Sequence, residues 1–126
     1  MVDKIINVVA GLFGALLLMM GVRWVVDPAG AAQGIGMEVL DGVARSSQLG
    51  DLAAFFVTAG SFALLGILLR KGVLLYTSAA LVGLAAVFRS LAWLVNDAPF
   101  AADLIIPELV MCAIFLVARQ RIDKTV

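Results

Sequence analysis

The sequence predicts an all-α fold: a bundle of four transmembrane helices in one domain, residues 1–126, with a short amphipathic helix in the first outer loop. Three observations carry that expectation. The chain is 63% hydrophobic and 14% charged, whereas soluble domains run about 45–50% apolar and about 25% charged; its mean hydropathy is +1.11. Four apolar runs cover about residues 5–26, 49–69, 72–95 and 101–118, each within the about 17–25 residues a spanning helix needs. The basic residues gather in alternate connections, as cytoplasmic loops do.

The runs are continuous rather than alternating, so they are helices and not barrel strands. The first is longer than the about 7–15 residues of a signal-peptide core, and Arg23 and Trp24 follow directly, so an uncleaved helix is expected. Asp27 and Pro28 then form a helix-start signal. Glycines 30, 34 and 36 and small apolar residues follow. This stretch reads as a short interfacial helix or as an ordered loop without membrane contact, ending in a polar hinge at Asp41 and Gly42.

The second run carries Gly50, Ala54 and Thr58 at spacing four. The third carries Ala79, Gly83, Ala86 and Ser90. Such stripes let helix backbones approach closely in lipid. The turn at Arg70 and Lys71 is short, so the two helices should pack antiparallel through these stripes; the same stripes would also serve a homo-oligomer. The fourth run contains Pro107. A helix beginning there would leave only about 18 Å before Arg119, too little for a core of about 30 Å. The helix therefore starts earlier and is kinked at Pro107, which leaves the Asp103 carbonyl without its helical donor.

Lys4, Arg70, Lys71, Arg119, Arg121 and Lys124 fall on one side if the helices alternate. The positive-inside rule then puts both termini and the 70–71 turn in the cytoplasm. Trp24 and Trp93 come near the outer helix ends, where interfacial tryptophans belong.

Arg89 is the only charge inside the third run, and Glu108 lies inside the fourth. A charge at the bilayer centre costs roughly 2.5–3.5 kcal/mol on insertion scales and usually has a partner. Arg89 lies about 9 Å, and Glu108 about 10 Å, from the outer end of its helix. Arg23 and Asp51 lie about 5 Å and 3 Å from theirs. Every helix thus brings an ionisable residue to the outer half. The expected site is a pocket opening outward, bounded by Arg23, Asp51, Arg89 and Glu108, with Phe88, Leu91 and Ile105 as its apolar lining. The plainer readings are a structural Arg89–Glu108 pair that sets helix register, or an Arg89 that snorkels to headgroups.

Cys112 reads as a small buried hydrophobe, and Met19, Met20 and Met111 as packing. With no histidine and one cysteine, neither an internal disulfide nor a thiolate or imidazole metal site is expected, and no cofactor is implied. Zero net charge gives no reason to expect nucleic acid.

Several short motifs resemble those of small bacterial four-helix membrane proteins that are distantly DoxX-like. They are Trp24, Val25, Val26, Asp27 and Pro28; Gly36 and Met37; Arg45 with Gly50 and Asp51; Phe88, Arg89, Ser90 and Leu91; and Pro107, Glu108 and Leu109. The resemblance covers nearly the whole chain. It implies the fold and topology, with the family's arginine and glutamate on Arg89 and Glu108 and its polar helix start on Arg45 and Asp51, and supplies no activity.

Three function classes follow. The first is a non-enzymatic membrane protein whose partners are the lipid bilayer and an amphiphilic ligand or a partner helix held at the outer cluster; a purely structural or assembly subunit is its variant. The second is a proton-coupled carrier using Glu108. Small multidrug carriers place their carboxylate in the first helix, which here has none. The third is an enzyme, for which the chain has no histidine base, nucleophile elbow or phosphate loop, leaving only an acid/base pair of Asp51 and Glu108.

Overall fold

In the computed structural model, which describes residues 1–125, the chain folds into five α-helices: α1 Val2–Val26, α2 Pro28–Gly34, α3 Val43–Leu68, α4 Gly72–Val95 and α5 Ala102–Thr125. By length and composition, α1, α3 and α4 are apolar enough to cross a membrane. α5 is as long as α4 but also carries Asp103, Glu108, Arg119, Arg121, Asp123 and Lys124, and it falls outside that class. Three helices of spanning character are therefore found where four were expected.

The four long helices run up and down in turn around one core, with α1 against α3, α3 against α4, α4 against α5 and α5 against α1. The interior is built largely of small residues. Ala10, Ala59, Ala63, Ala79 and Ala118 are fully buried around Leu17, Leu75 and Phe115. The outer faces are apolar, with Leu12, Met19, Leu68, Val73, Leu94 and Ile106 exposed. An apolar exterior over a small-residue interior is the pattern of a helical bundle packed in lipid.

The tightest seam lies between α1 and α3. A Cβ on Gly60 would come within 2.6 Å of the Gly14 carbonyl oxygen, and one on Gly21 within 2.7 Å of the Val57 nitrogen. Glycine is required there because backbone meets backbone. The expected stripe of Gly50, Ala54 and Thr58 does not make this contact: nothing lies within 4 Å of a Cβ on Gly50, and Ala54 is exposed. The stripe on α4 does face inward. Ala79 and Ala86 are buried, and Gly83 approaches Cys112 of α5. Ser78 beside it donates its hydroxyl to the Ala59 carbonyl of α3 at 2.7 Å.

Trp24 is 1% exposed and packs inside the bundle instead of facing outward. It continues the buried row Ala10, Gly14, Leu17 and Gly21 at alternating spacings of four and three, and clusters with Ala31 and Ala32 of α2. Trp93 does lie on the outside, edge to face with Phe100 at 5.0 Å.

The end that gathers the basic residues is knitted together. Arg70 donates to Thr125, Arg121 to Asp3 at 2.5 Å, and the Arg119 guanidinium stacks over the Tyr76 ring at 4.7 Å. The turn between α3 and α4 closes with Arg70 at φ 54 and the Lys71 amide donating to the Gly66 carbonyl at 2.9 Å, a Schellman closure with arginine where glycine is usual.

Candidate functional site

The opposite end begins with a corner. Asp27 ends α1 and caps α2: its Oδ1 accepts from the Gly30 amide at 3.2 Å, and its Oδ2 from Arg23 Nε at 3.3 Å. Arg23 thus pairs along its own helix and fastens the α1–α2 corner. α2 closes at Gly36, φ 73, with the Met37 amide donating to the Ala32 carbonyl at 2.8 Å. This closure leaves Ile35, half-buried, at the head of the bundle.

From there the chain is held by Gln48. Its Oε1 accepts from the Leu40 amide at 2.9 Å and its Nε2 donates to the Glu38 carbonyl at 2.9 Å. Arg45 Nε donates to the Leu40 carbonyl at 2.7 Å. These bonds explain why α3 starts at Val43, after Gly42 at φ 63, and not at residue 49 as expected: the polar residues are the ones that grip the preceding segment. Gln48 is 6% exposed. Its signal in the sequence was periodicity, because Phe56, Ala59 and Ala63 are buried and the same stripe extended two turns back reaches Gln48.

Arg89 and Glu108 meet. Arg89 Nε donates to Glu108 Oε1 at 2.9 Å and to Oε2 at 3.2 Å. Antiparallel packing of α4 on α5 brings equal depths together. Glu108 is 9% exposed, while the Arg89 side chain keeps 32% of its surface. Among the described residues, no protein group accepts a hydrogen bond from Arg89 Nη1 or Nη2. A guanidinium presents five donors in a fixed fork, and most of that fork remains available here.

Three cavities converge on it. A mouth of about 650 Å³ at this end of the bundle lies between the α2–α3 connection and residues 98–104, with Gln33, Phe100 and Asp103 in its wall. A cleft of about 370 Å³ runs between α3 and α4 along Leu52, Phe55, Phe56, Ala85 and Phe88. An inner chamber of about 140 Å³ reaches Leu17, Val82, Pro107, Glu108 and Met111. Ile35 and Arg89 line all three.

The four expected site residues thus divide. Arg89 and Glu108 come together. Arg23 is committed to Asp27. Asp51 is exposed and lines a separate shallow depression with Met37, Ala44 and Gln48. Of the expected apolar lining, Phe88 borders the cleft, whereas Leu91 is exposed and Ile105 is buried, and neither borders the three cavities. Two residues along a helix turn the direction by about 200°, so Leu91 points away from Arg89. Leu104 lines the mouth and the chamber. Ile35 and Gln48 were not singled out by the sequence.

Among the described residues, no group of three or more His, Cys, Asp or Glu is placed to hold a metal ion. The geometry defines an all-α bundle with lipid-compatible outer faces and a half-open arginine at the junction of its cavities. No family model, curated protein or solved structure matches the chain.

Proposed function

We propose that this chain is a non-enzymatic membrane protein that binds a small anionic or amphiphilic molecule at Arg89, reached from the outer mouth. The observation that carries the reading is the unfilled fork of Arg89 where the three cavities meet. Glu108 holds the guanidinium through Nε alone, and so orients Nη1 and Nη2 without occupying them. Charge-assisted hydrogen bonds from such a fork are among the stronger ones available to a protein, and the surrounding apolar walls raise their strength.

In this reading α5 is the fourth span. Glu108 is paired by Arg89, and the other α5 charges cluster toward its ends. With Lys4, Arg70, Lys71, Arg121 and Lys124 at one end of the bundle, the positive-inside rule orients both termini to the cytoplasm of a bacterial inner membrane. The resemblance to the DoxX-like group supports the same topology.

The test is titration of n-butyl phosphate, a soluble anion with a short tail, into protein held in a neutral maltoside detergent. Calorimetry should show binding, and Arg89→Lys should weaken it about tenfold or more, because an ammonium keeps the charge but loses the planar fork. Equal binding by Arg89→Lys and Arg89→Gln would remove the reading. The proton-coupled carrier draws on a separate observation, the position of Glu108 on the inner chamber. It requires Glu108→Gln to abolish uptake driven by a pH gradient in proteoliposomes.

A further inference from the structure

The cleft between α3 and α4 has a different character from the mouth. Its walls are aliphatic and aromatic, and Arg89 is the one charged residue that lines it. The carboxylates lie elsewhere: Asp103 borders the mouth and Glu108 the chamber. An anionic group approaching along the cleft therefore meets the guanidinium before any negative charge. At about 370 Å³, the cleft falls in the range of about 300–1,000 Å³ typical of small-molecule sites.

The cleft opens sideways through the apolar exterior. Phe88 at its edge is 62% exposed, and Leu84 and Val87 beside it on α4 are also exposed. Leu52 and Phe55 belong to the first half of α3, with Phe56 at its midpoint, and Ala85 and Phe88 to the second half of α4. In an antiparallel pair these stretches share the end that carries the mouth. Arg89 stands six residues before the end of α4, about 9 Å along the axis, and a long arginine side chain covers much of that remaining depth by snorkelling. An open apolar cleft with a cation at its head matches one occupant in charge and in shape.

We infer that the α3–α4 cleft is a lateral binding site for an anionic bilayer lipid, whose acyl chain lies against Phe55, Phe56 and Phe88 and whose headgroup oxygens accept from Arg89 Nη1 and Nη2. This rests on the reading of Arg89 as an anion-binding residue and extends it to a ligand class and a direction of approach, from within the outer leaflet. Ile35 stands beside Arg89 where the cleft, the mouth and the chamber meet, since it borders all three. A lipid entering the cleft meets apolar walls all the way to Arg89.

The experiment is native mass spectrometry of the full chain, released from neutral detergent after incubation with phosphatidylglycerol and phosphatidylcholine of identical acyl chains. The protein should retain phosphatidylglycerol with about tenfold preference, the scale of one or two charge-assisted hydrogen bonds. Ala85→Trp and, from the opposite wall, Leu52→Trp fill the cleft without replacing either member of the Arg89–Glu108 pair. Each should lose the retained lipid while still binding n-butyl phosphate at the mouth, which shows that the variant is folded. Lipid retention unchanged in both tryptophan variants would overturn the lateral site and leave the anion-binding reading standing. Equal retention of the two lipids, or a dimer peak in place of a lipid adduct, would also overturn it, the latter by naming a second copy of the chain as the occupant. Loss of n-butyl phosphate binding only in Arg89→Lys, beside unchanged lipid retention, would separate the two sites and sink the inference alone.

Discussion

Arg89 holds Glu108 with Nε alone, at 2.9 and 3.2 Å to the two carboxylate oxygens, and its two terminal nitrogens have no acceptor among the described residues. An ion pair serving only to neutralise buried charge would gain from using the whole fork. One nitrogen here serves as the anchor and two remain free to donate. Neutralisation and ligand binding are thus compatible in one arginine.

The pair should show strong coupling. Arg89→Ala strands a carboxylate that is almost covered, and should cost about 3–5 kcal/mol. Glu108→Ala should sit at the low end of that range, because Arg89 keeps access to the mouth. The double variant should recover part of the loss in a cycle measured by unfolding in mixed micelles. Strictly additive losses would contradict the contact.

Gly60→Ala should loosen the bundle where α1 crosses α3. The added methyl meets the Gly14 carbonyl oxygen at 2.6 Å, and neither backbone can yield cheaply. A loss of about 1–3 kcal/mol is expected from such overpacking. Gly50→Ala is the control: its Cβ meets nothing within 4 Å, and replacing a helical glycine should gain about 0.5–1 kcal/mol. Melting temperatures moving in the same direction for both would dissociate the seam from its proposed role.

Gln48→Leu keeps bulk and removes the two hydrogen bonds to the backbone. The Leu40 amide and the Glu38 carbonyl lose their partners, at about 1–3 kcal/mol for each group that stays buried. Because both groups can swing out to solvent, the change should appear chiefly as opening of the segment. Hydrogen exchange at residues 38–41 should accelerate while α1 is unaffected. Protection unchanged at Leu40 would show that Gln48 is not the latch.

Topology is tested by fusion. Alkaline phosphatase placed after residue 126 should be inactive, and phosphatase inserted between residues 30 and 45 should be active, if the basic end faces the cytoplasm. An active C-terminal fusion would invert the bundle or remove α5 from the membrane, and with it the outer-leaflet route to Arg89.

The sequence by itself determined what depends on distance along the chain. Runs of apolar residues set four long helices near their observed positions, and Asp27 with Pro28 marked the short helix between them. A rise of about 1.5 Å per residue, counted from the facing ends of the third and fourth runs, was enough to place Arg89 and Glu108 at one depth. The helix bounds added that α5 runs on to Thr125 and takes in Arg119, Arg121, Asp123 and Lys124, and it does not rank with the other spans.

What only the tertiary structure decided is direction around each helix. A soluble helix announces its inner face by contrast with a polar outer one, but here both faces are apolar, so the contrast is missing. That is why Trp24 turned out to be core, why Gly14, Gly21 and Gly60 rather than Gly50 and Ala54 make the close seam, and why Arg23 and Asp51 do not join the pair. Ile35 and Gln48 depend on the same cause, since their roles arise where a connection folds back over helices whose inward faces are settled only by packing.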